Sequence, residues 1–193
     1  MLGTARIADA RIPADFAPTV RRDAIPSVRA RALFDWWASR LAGRAMPLRR
    51  DFLAEELAPW WPDLILYDVE RADGASRFRF RVHGANAVIS DGGNFTGRHL
   101  DEVMPAHMSQ PIVGCYRAVE QMRLPLYSQG HRPTVQGYNV AFERLIVPFG
   151  AGDVEQLLAF LVRRSTLRVD REDDGLGSEH TSYVNDMLLF VAP

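Results

Sequence analysis

The chain has 193 residues, 47% of them hydrophobic and 24% charged, with a net charge of −1, which is the profile of one globular domain. All 23 basic residues are arginine, which excludes lysine Schiff bases and the phosphate-cradling lysine of a P-loop, and the single cysteine, Cys115, excludes an intrachain disulfide and every multi-cysteine metal site. The arginines occur as scattered pairs among acids, such as Arg163–Arg164, and no stretch approaches the roughly 18 apolar residues of a membrane span; neither nucleic acid nor membrane is an expected partner, and a cytoplasmic location is the default.

Residues 1–26 carry Pro13, Pro18 and Pro26 with little periodicity and read as an extended or partly disordered leader. Residues 27–62 read as a helical segment. Ser27 is an N-cap for a helix whose apolar positions, Val28, Leu33, Trp36, Trp37 and Leu41, fall at helical spacing before Gly43. A second, shorter helix is expected to start at Asp51, run through Phe52, Leu53 and Leu57, and stop before Pro59.

From residue 63 alternation replaces the helical period. Residues 64–69 and 76–83, joined across Asp73 and Gly74, read as a hairpin. In its second strand Phe78, Phe80 and Val82 are expected on one side, with Arg77, Arg79, Arg81 and His83 on the other. Residues 84–123 hold glycine-rich turns and short helical pieces, the longest over about 105–122. Three strands follow, near 124–129, 137–148 and 154–166. The last two are apolar on both alternations: Val140, Phe142 and Ile146 against Ala141, Leu145 and Val147, then Leu158, Phe160 and Val162 against Leu157, Ala159 and Leu161. Such strands belong in the middle of a sheet covered on both sides. Residues 167–193 read as an acidic linker, densest over 170–179, and a short apolar end.

Strand, strand, short helices, a longer helix and three strands is the order of a PAS domain. Four local runs sharpen the likeness: Arg44-Ala45-Met46-Pro47-Leu48-Arg49-Arg50-Asp51-Phe52, Phe78-Arg79-Phe80-Arg81-Val82-His83-Gly84, Phe95-Thr96-Gly97-Arg98-His99-Leu100 and Phe142-Glu143-Arg144-Leu145-Ile146-Val147-Pro148-Phe149. Together, over residues 28–163, they resemble a family of stand-alone bacterial PAS-like proteins. The resemblance implies an α+β PAS-like fold over residues 63–166: a five-stranded antiparallel sheet with helices across one face and an N-terminal flanking helix. It implies a sensory or regulatory protein in signal transduction, not an enzyme, with an unidentified small molecule in the cavity beneath residues 84–122, a signalling protein as partner, and a homodimer. The alternative is a ligand-free dimeric interaction module. Residues 86–93 depart from the family pattern, which is more apolar there, and the cofactor is unknown.

None of the five histidines shares a metal-binding spacing with another or with a carboxylate, and no metal ligand is expected. His107 stands too early on its helix for a haem sensor, and Cys115 lacks the Asn-Cys-Arg-Phe context of a flavin photosensor, so it reads as a small buried hydrophobe. Asp170, Glu172, Asp174 and Gly175 begin like a calcium loop, but Thr181 stands where the closing carboxylate belongs. Hydrolase, dinucleotide and NTPase motifs are absent, and no catalytic residue is assigned. Arg81 and Arg144 lie on sheet strands. Either guanidinium, if inside, must meet an anion; the other reading pairs it with Glu143 or Asp68, or leaves it at a solvent edge. The candidate ligand set is Arg81, His83, Asn86, Cys115, Tyr116, Phe142 and Arg144. The stripe Leu33, Trp36, Trp37 and Leu41 either covers the outer face of the sheet or forms a dimer interface with a second subunit.

Overall fold

The structure, a computed structural model, describes residues 16–72, 74–104, 106–133, 138–168 and 184–193. The leader through residue 15, the acidic stretch 170–179 with its calcium-loop likeness, and the side chain of His107 lie outside the described residues.

Among the described residues seven strands form one sheet: β1 (Thr19–Arg21), β2 (Leu64–Ala72), β3 (Ala75–His83), β4 (Leu126–Pro133), β5 (Tyr138–Phe149), β6 (Gln156–Arg168) and β7 (Val184–Ala192), in the order β1-β7-β4-β5-β6-β2-β3. The expected five-stranded antiparallel sheet is thereby corrected to a mixed sheet of seven. The five strands legible in the sequence are β2 to β6, whose pairings are antiparallel. They leave one edge of β4 open, and an open edge is a row of unpaired backbone donors and acceptors. The apolar end of the chain fills it: β7 pairs antiparallel with β4, burying Phe190 and Val191, and β1 adds to β7 in parallel with Thr19 beside Phe190. Phe16 packs 6.4 Å from the Phe190 ring. Three residues between prolines carry no alternation long enough to mark β1 as a strand.

The two strands apolar on both alternations, β5 and β6, stand in the interior of the sheet. One face is covered by α1 (Val28–Ala38), which Ser27 caps by accepting the Ala30 N–H at 3.3 Å. The Ser27 hydroxyl also donates to Glu143 at 2.7 Å, and the Trp37 indole donates to the Pro148 carbonyl at 2.8 Å. Leu33 and Trp37 are fully buried, while Trp36 and Leu41 are half-buried against Phe52, Phe149 and their neighbours. The stripe read as a dimer interface therefore covers the chain's own sheet, and Leu33 and Trp37 present no surface to a second subunit.

The other face carries α2 (Ala85–Asp91), α3 (Leu100–Val103) and α4 (Ala106–Met122). Tyr116 of α4 meets Tyr67 edge-on at 4.9 Å and Phe78 at 5.5 Å. Helices thus lie on both faces, not one, and the fold is α+β in three layers. The second short helix expected from Asp51 is two 3-10 turns, Arg49–Asp51 and Ala54–Leu57. Asp51 and Glu56 turn back to accept the Leu48 and Leu53 N–H groups, and so short a segment gains more from those caps than from nucleating an α-helix.

Two local devices set up the site. Leu66 pairs with Val82 and Tyr67 with Phe80, so Arg81 is an extra residue, a β-bulge that inverts the alternation of β3. Phe78 and Phe80 point inward as expected; beyond the bulge His83 turns inward too, its side chain fully buried. Gly84 then passes so close to the preceding turn that a Cβ would stand 2.6 Å from the carbonyl oxygens of Trp61 and Pro62, and only glycine fits. From there α2 delivers Asp91 back onto the sheet. At the outer edge, Gly97 (φ +88°) donates to the Phe80 carbonyl and Phe80 donates to Arg98, so the Thr96-Gly97-Arg98 turn covers part of the β3 edge.

Candidate functional site

On the α4 side, cross-strand register places Arg144 of β5 opposite Leu161 of β6, and Phe142 opposite Arg163. All four side chains face the helices. With Ile65 and Tyr67 of β2, Leu100, Met104, Ile112 and Tyr116 above, and Asp91 at the end of α2, they enclose about 30 Å³. That is the room of one or two water molecules, far below the few hundred Å³ of a metabolite or cofactor pocket.

Two guanidinium groups form part of this wall. Arg144 is 3% exposed; its Nε donates to Ser128 Oγ at 3.2 Å, and its charge lies 5.7 Å from the Tyr116 ring centre and 5.8 Å from that of Phe142. Arg163 Nη2 lies 2.7 Å from Asp91 Oδ1, with side-chain exposures of 9% and 2%. The other Asp91 oxygen meets His83 Nε2 at 3.1 Å. His83 Nδ1 accepts the Phe95 N–H at 3.2 Å, so the Nε2 tautomer donates to Asp91. Phe80 and Phe95 flank the imidazole at 5.1 and 5.6 Å. The series Phe95, His83, Asp91, Arg163 therefore fixes one guanidinium from behind. Burial pushes the hydroxyls of Tyr67 and Tyr116 well above and above their ordinary range respectively, so both are neutral groups, 3.5 Å apart. An arrangement of fixed, permanently charged donors around a small, mostly apolar space is suited to binding; His83, walled off behind Asp91, does not reach the cavity.

The candidate ligand set divides. Tyr116, Phe142 and Arg144 line the cavity together, and His83 supports it through Asp91. Cys115 is buried beside Asn185, whose amide reaches its sulfur at 3.9 Å, outside the cavity wall. Arg81 sits on the bulge, 58% exposed, and pairs with Asp68 at 3.4 Å; Asn86 is exposed and donates to Asp63 at 2.8 Å. Neither lines the cavity. Glu143 is not the partner of Arg144, because it faces α1, where it accepts from Ser27 and Tyr127. Arg163, Asp91 and Tyr67 complete the wall. Arg163 reads in sequence as half of a surface pair, yet it continues the face of Leu157, Ala159 and Leu161 by alternation, and that parity was the available signal.

Comparison of the chain with known protein families, with curated proteins and with solved structures finds no match. Among the described residues no helix is long and apolar enough to cross a membrane, and no group of three or more His, Cys, Asp or Glu is placed to hold a metal ion.

Proposed function

We propose that the protein is a cytoplasmic regulatory module that holds a small ligand between α4 and the sheet and passes its occupancy to a partner protein. One observation carries this reading: two guanidinium groups, Arg144 and Arg163, are buried on adjacent central strands and line the same enclosed space. Burying a charge costs several kcal/mol unless paired interactions offset it; Arg163 has Asp91 for its pair, and a second guanidinium lining the same space supports a site for a negatively polarised guest. The motif runs that resemble stand-alone PAS-like regulators support a signalling role, since they supply Phe78, Phe80 and the bulge on β3 and Phe142 and Arg144 on β5. Occupancy would act by shifting the balance between arrangements of α4 over the sheet. The small volume favours a second reading, in which ordered water fills the space and the protein is an interaction module without a ligand.

Native mass spectrometry of protein purified from cells, before and after incubation with a metabolite extract, tests the proposal. A bound mass that disappears in Arg144→Leu and persists in Arg81→Leu is expected. A bare chain that gains nothing from any extract would sink it.

A further inference from the structure

We infer that His83 is an acid-released latch: in its neutral form it pins the turn of residues 92–98 to the sheet, and taking up a proton frees that turn from the β3 edge. The imidazole side chain is fully buried. Its Nε2 donates to Asp91 Oδ2 at 3.1 Å, and its Nδ1 accepts the Phe95 N–H at 3.2 Å. Only the neutral ring can do both, because a protonated imidazole has two donors and no acceptor. A proton added at Nδ1 points at the Phe95 N–H, so two donors confront each other inside the protein and one must withdraw. Histidine is the side chain that ordinarily makes this change between about pH 5 and 8. The inference does not depend on whether the cavity holds a ligand.

The Phe95 bond is placed to decide the position of the whole turn. The Phe95 ring stacks on the imidazole at 5.6 Å and meets Phe80 edge-on at 5.8 Å. The turn runs from left-handed Gly92 through left-handed Gly97, and its far end holds the β3 edge by two backbone bonds, Gly97 N–H to the Phe80 carbonyl and Phe80 N–H to the Arg98 carbonyl. Moving Phe95 off His83 therefore loosens the cover of that edge. Charged and titratable groups surround the ring from several elements: Asp91 of α2 in contact, Arg163 of β6 on the other Asp91 oxygen, Tyr67 of β2 within electrostatic reach of both, and Arg98 over the Phe95 ring. On its own strand Arg81 turns away to Asp68, and the cross-strand neighbour Ile65 brings no charge. Asp91 and Arg163 belong to α2 and β6, not to the turn, and face the ring whether the turn is closed or released. The direction of the response thus rests on the Phe95 contact: the closed turn needs Nδ1 without a proton, the released turn does not, and acid shifts the balance toward release.

The test is nitrogen NMR of the full, isotope-labelled chain from about pH 8 to 5, following the His83 ring nitrogens together with hydrogen exchange of the Phe80, Phe95 and Gly97 amides. At the alkaline end the ring should be the Nε2–H tautomer and the three amides protected. As the ring takes its second proton, their protection should fall about tenfold per pH unit after correction for the intrinsic pH dependence of exchange, which is the slope for one proton bound only by the released turn. The Leu145 amide, on an interior strand, should stay protected throughout. His83→Asn sets an amide oxygen near the Nδ1 position, where it accepts from Phe95 but takes no proton, and should hold the turn closed across the range. His99→Gln removes the histidine that follows the turn and should still release as the native protein does. A ring that stays neutral to the acid end, or one that protonates while Phe95 stays protected, overturns the inference. So does acid release that persists in His83→Asn or vanishes in His99→Gln. The first two results are read on the native protein and decide the matter even if a variant fails to fold.

Discussion

Arg163 and Asp91 form a buried ion pair that can be broken from either side with unequal consequences. Asp91→Ala leaves the guanidinium without its carboxylate and also removes the acceptor of His83. Loss of one partner of a buried pair costs about 3–5 kcal/mol, so the urea midpoint of Asp91→Ala should fall steeply; a midpoint within error of the native one would show that Arg163 is not held as described. Gly84→Ala tests the close approach beneath α2. Its methyl must displace the backbone of the Trp61–Asp63 turn, a strain of about 1–3 kcal/mol, and a calorimetric scan should show it as a lowered Tm. At this scale the sequence was uneven as a guide. Strand parity put Arg144 on the face of Phe142 and Ile146, and Arg163 on that of Leu157, Ala159 and Leu161, but both faces of these strands are apolar, so parity left open which one holds a cavity. His83 was a candidate expected on the arginine side of β3, and one extra residue at Arg81 reverses the side it faces; Asp91 was illegible because a turn of helix after Gly84 decides where it lands.

Among the elements, α1 is the one whose role the sequence left open. Its stripe fits a sheet or a second subunit equally well by periodicity, and the choice depends on tertiary packing that no local pattern encodes. With Leu33 fully buried, Leu33→Ala should cost about 2–5 kcal/mol in the isolated chain, measured at several protein concentrations. A dimer interface would instead make the loss concentration-dependent. The short α3 is tied to β3 by charge: Arg77 meets Asp101 and Glu102 at 3.0 and 2.6 Å, and His99 meets Glu70 at 2.9 Å. The Arg77 guanidinium, aided by the His99 N–H, holds the Glu102 carboxyl down from the usual 4.5 to about 2. A depressed carboxylate stabilises the fold above its unfolded value and loses that contribution as pH falls through its folded one. Thermal stability should therefore decline between about pH 4.5 and 2, with a shallower decline in Glu102→Gln and in high salt, since these groups are largely exposed. An identical acid profile for the variant would remove Arg77 and Glu102 from the account.

For the whole molecule, hydrophobic patterning located the five strands β2 to β6, the β2–β3 hairpin and the two-sided burial of β5 and β6, while the antiparallel sheet was an expectation from the PAS-like resemblance and the strand order was not legible. What patterning did not reveal was closure. The C-terminal segment is too far along the chain, and β1 too short, for sequence to show that they complete one edge of the sheet. Removing residues 1–22 deletes β1 and uncovers β7, so the truncated protein should melt lower and associate as concentration rises in light scattering. An unchanged Tm and a strictly monomeric truncation would mean that β1 does not seal the edge. The same sheet carries the proposed function, because its central strands fix two guanidinium groups that no flexible surface would hold in place.

The most direct measurement is native mass spectrometry of the full chain beside its Arg144→Leu variant, before and after incubation with a metabolite extract. A bound mass on the native protein that the variant loses is the predicted result. A native chain that stays bare under every extract would contradict the account.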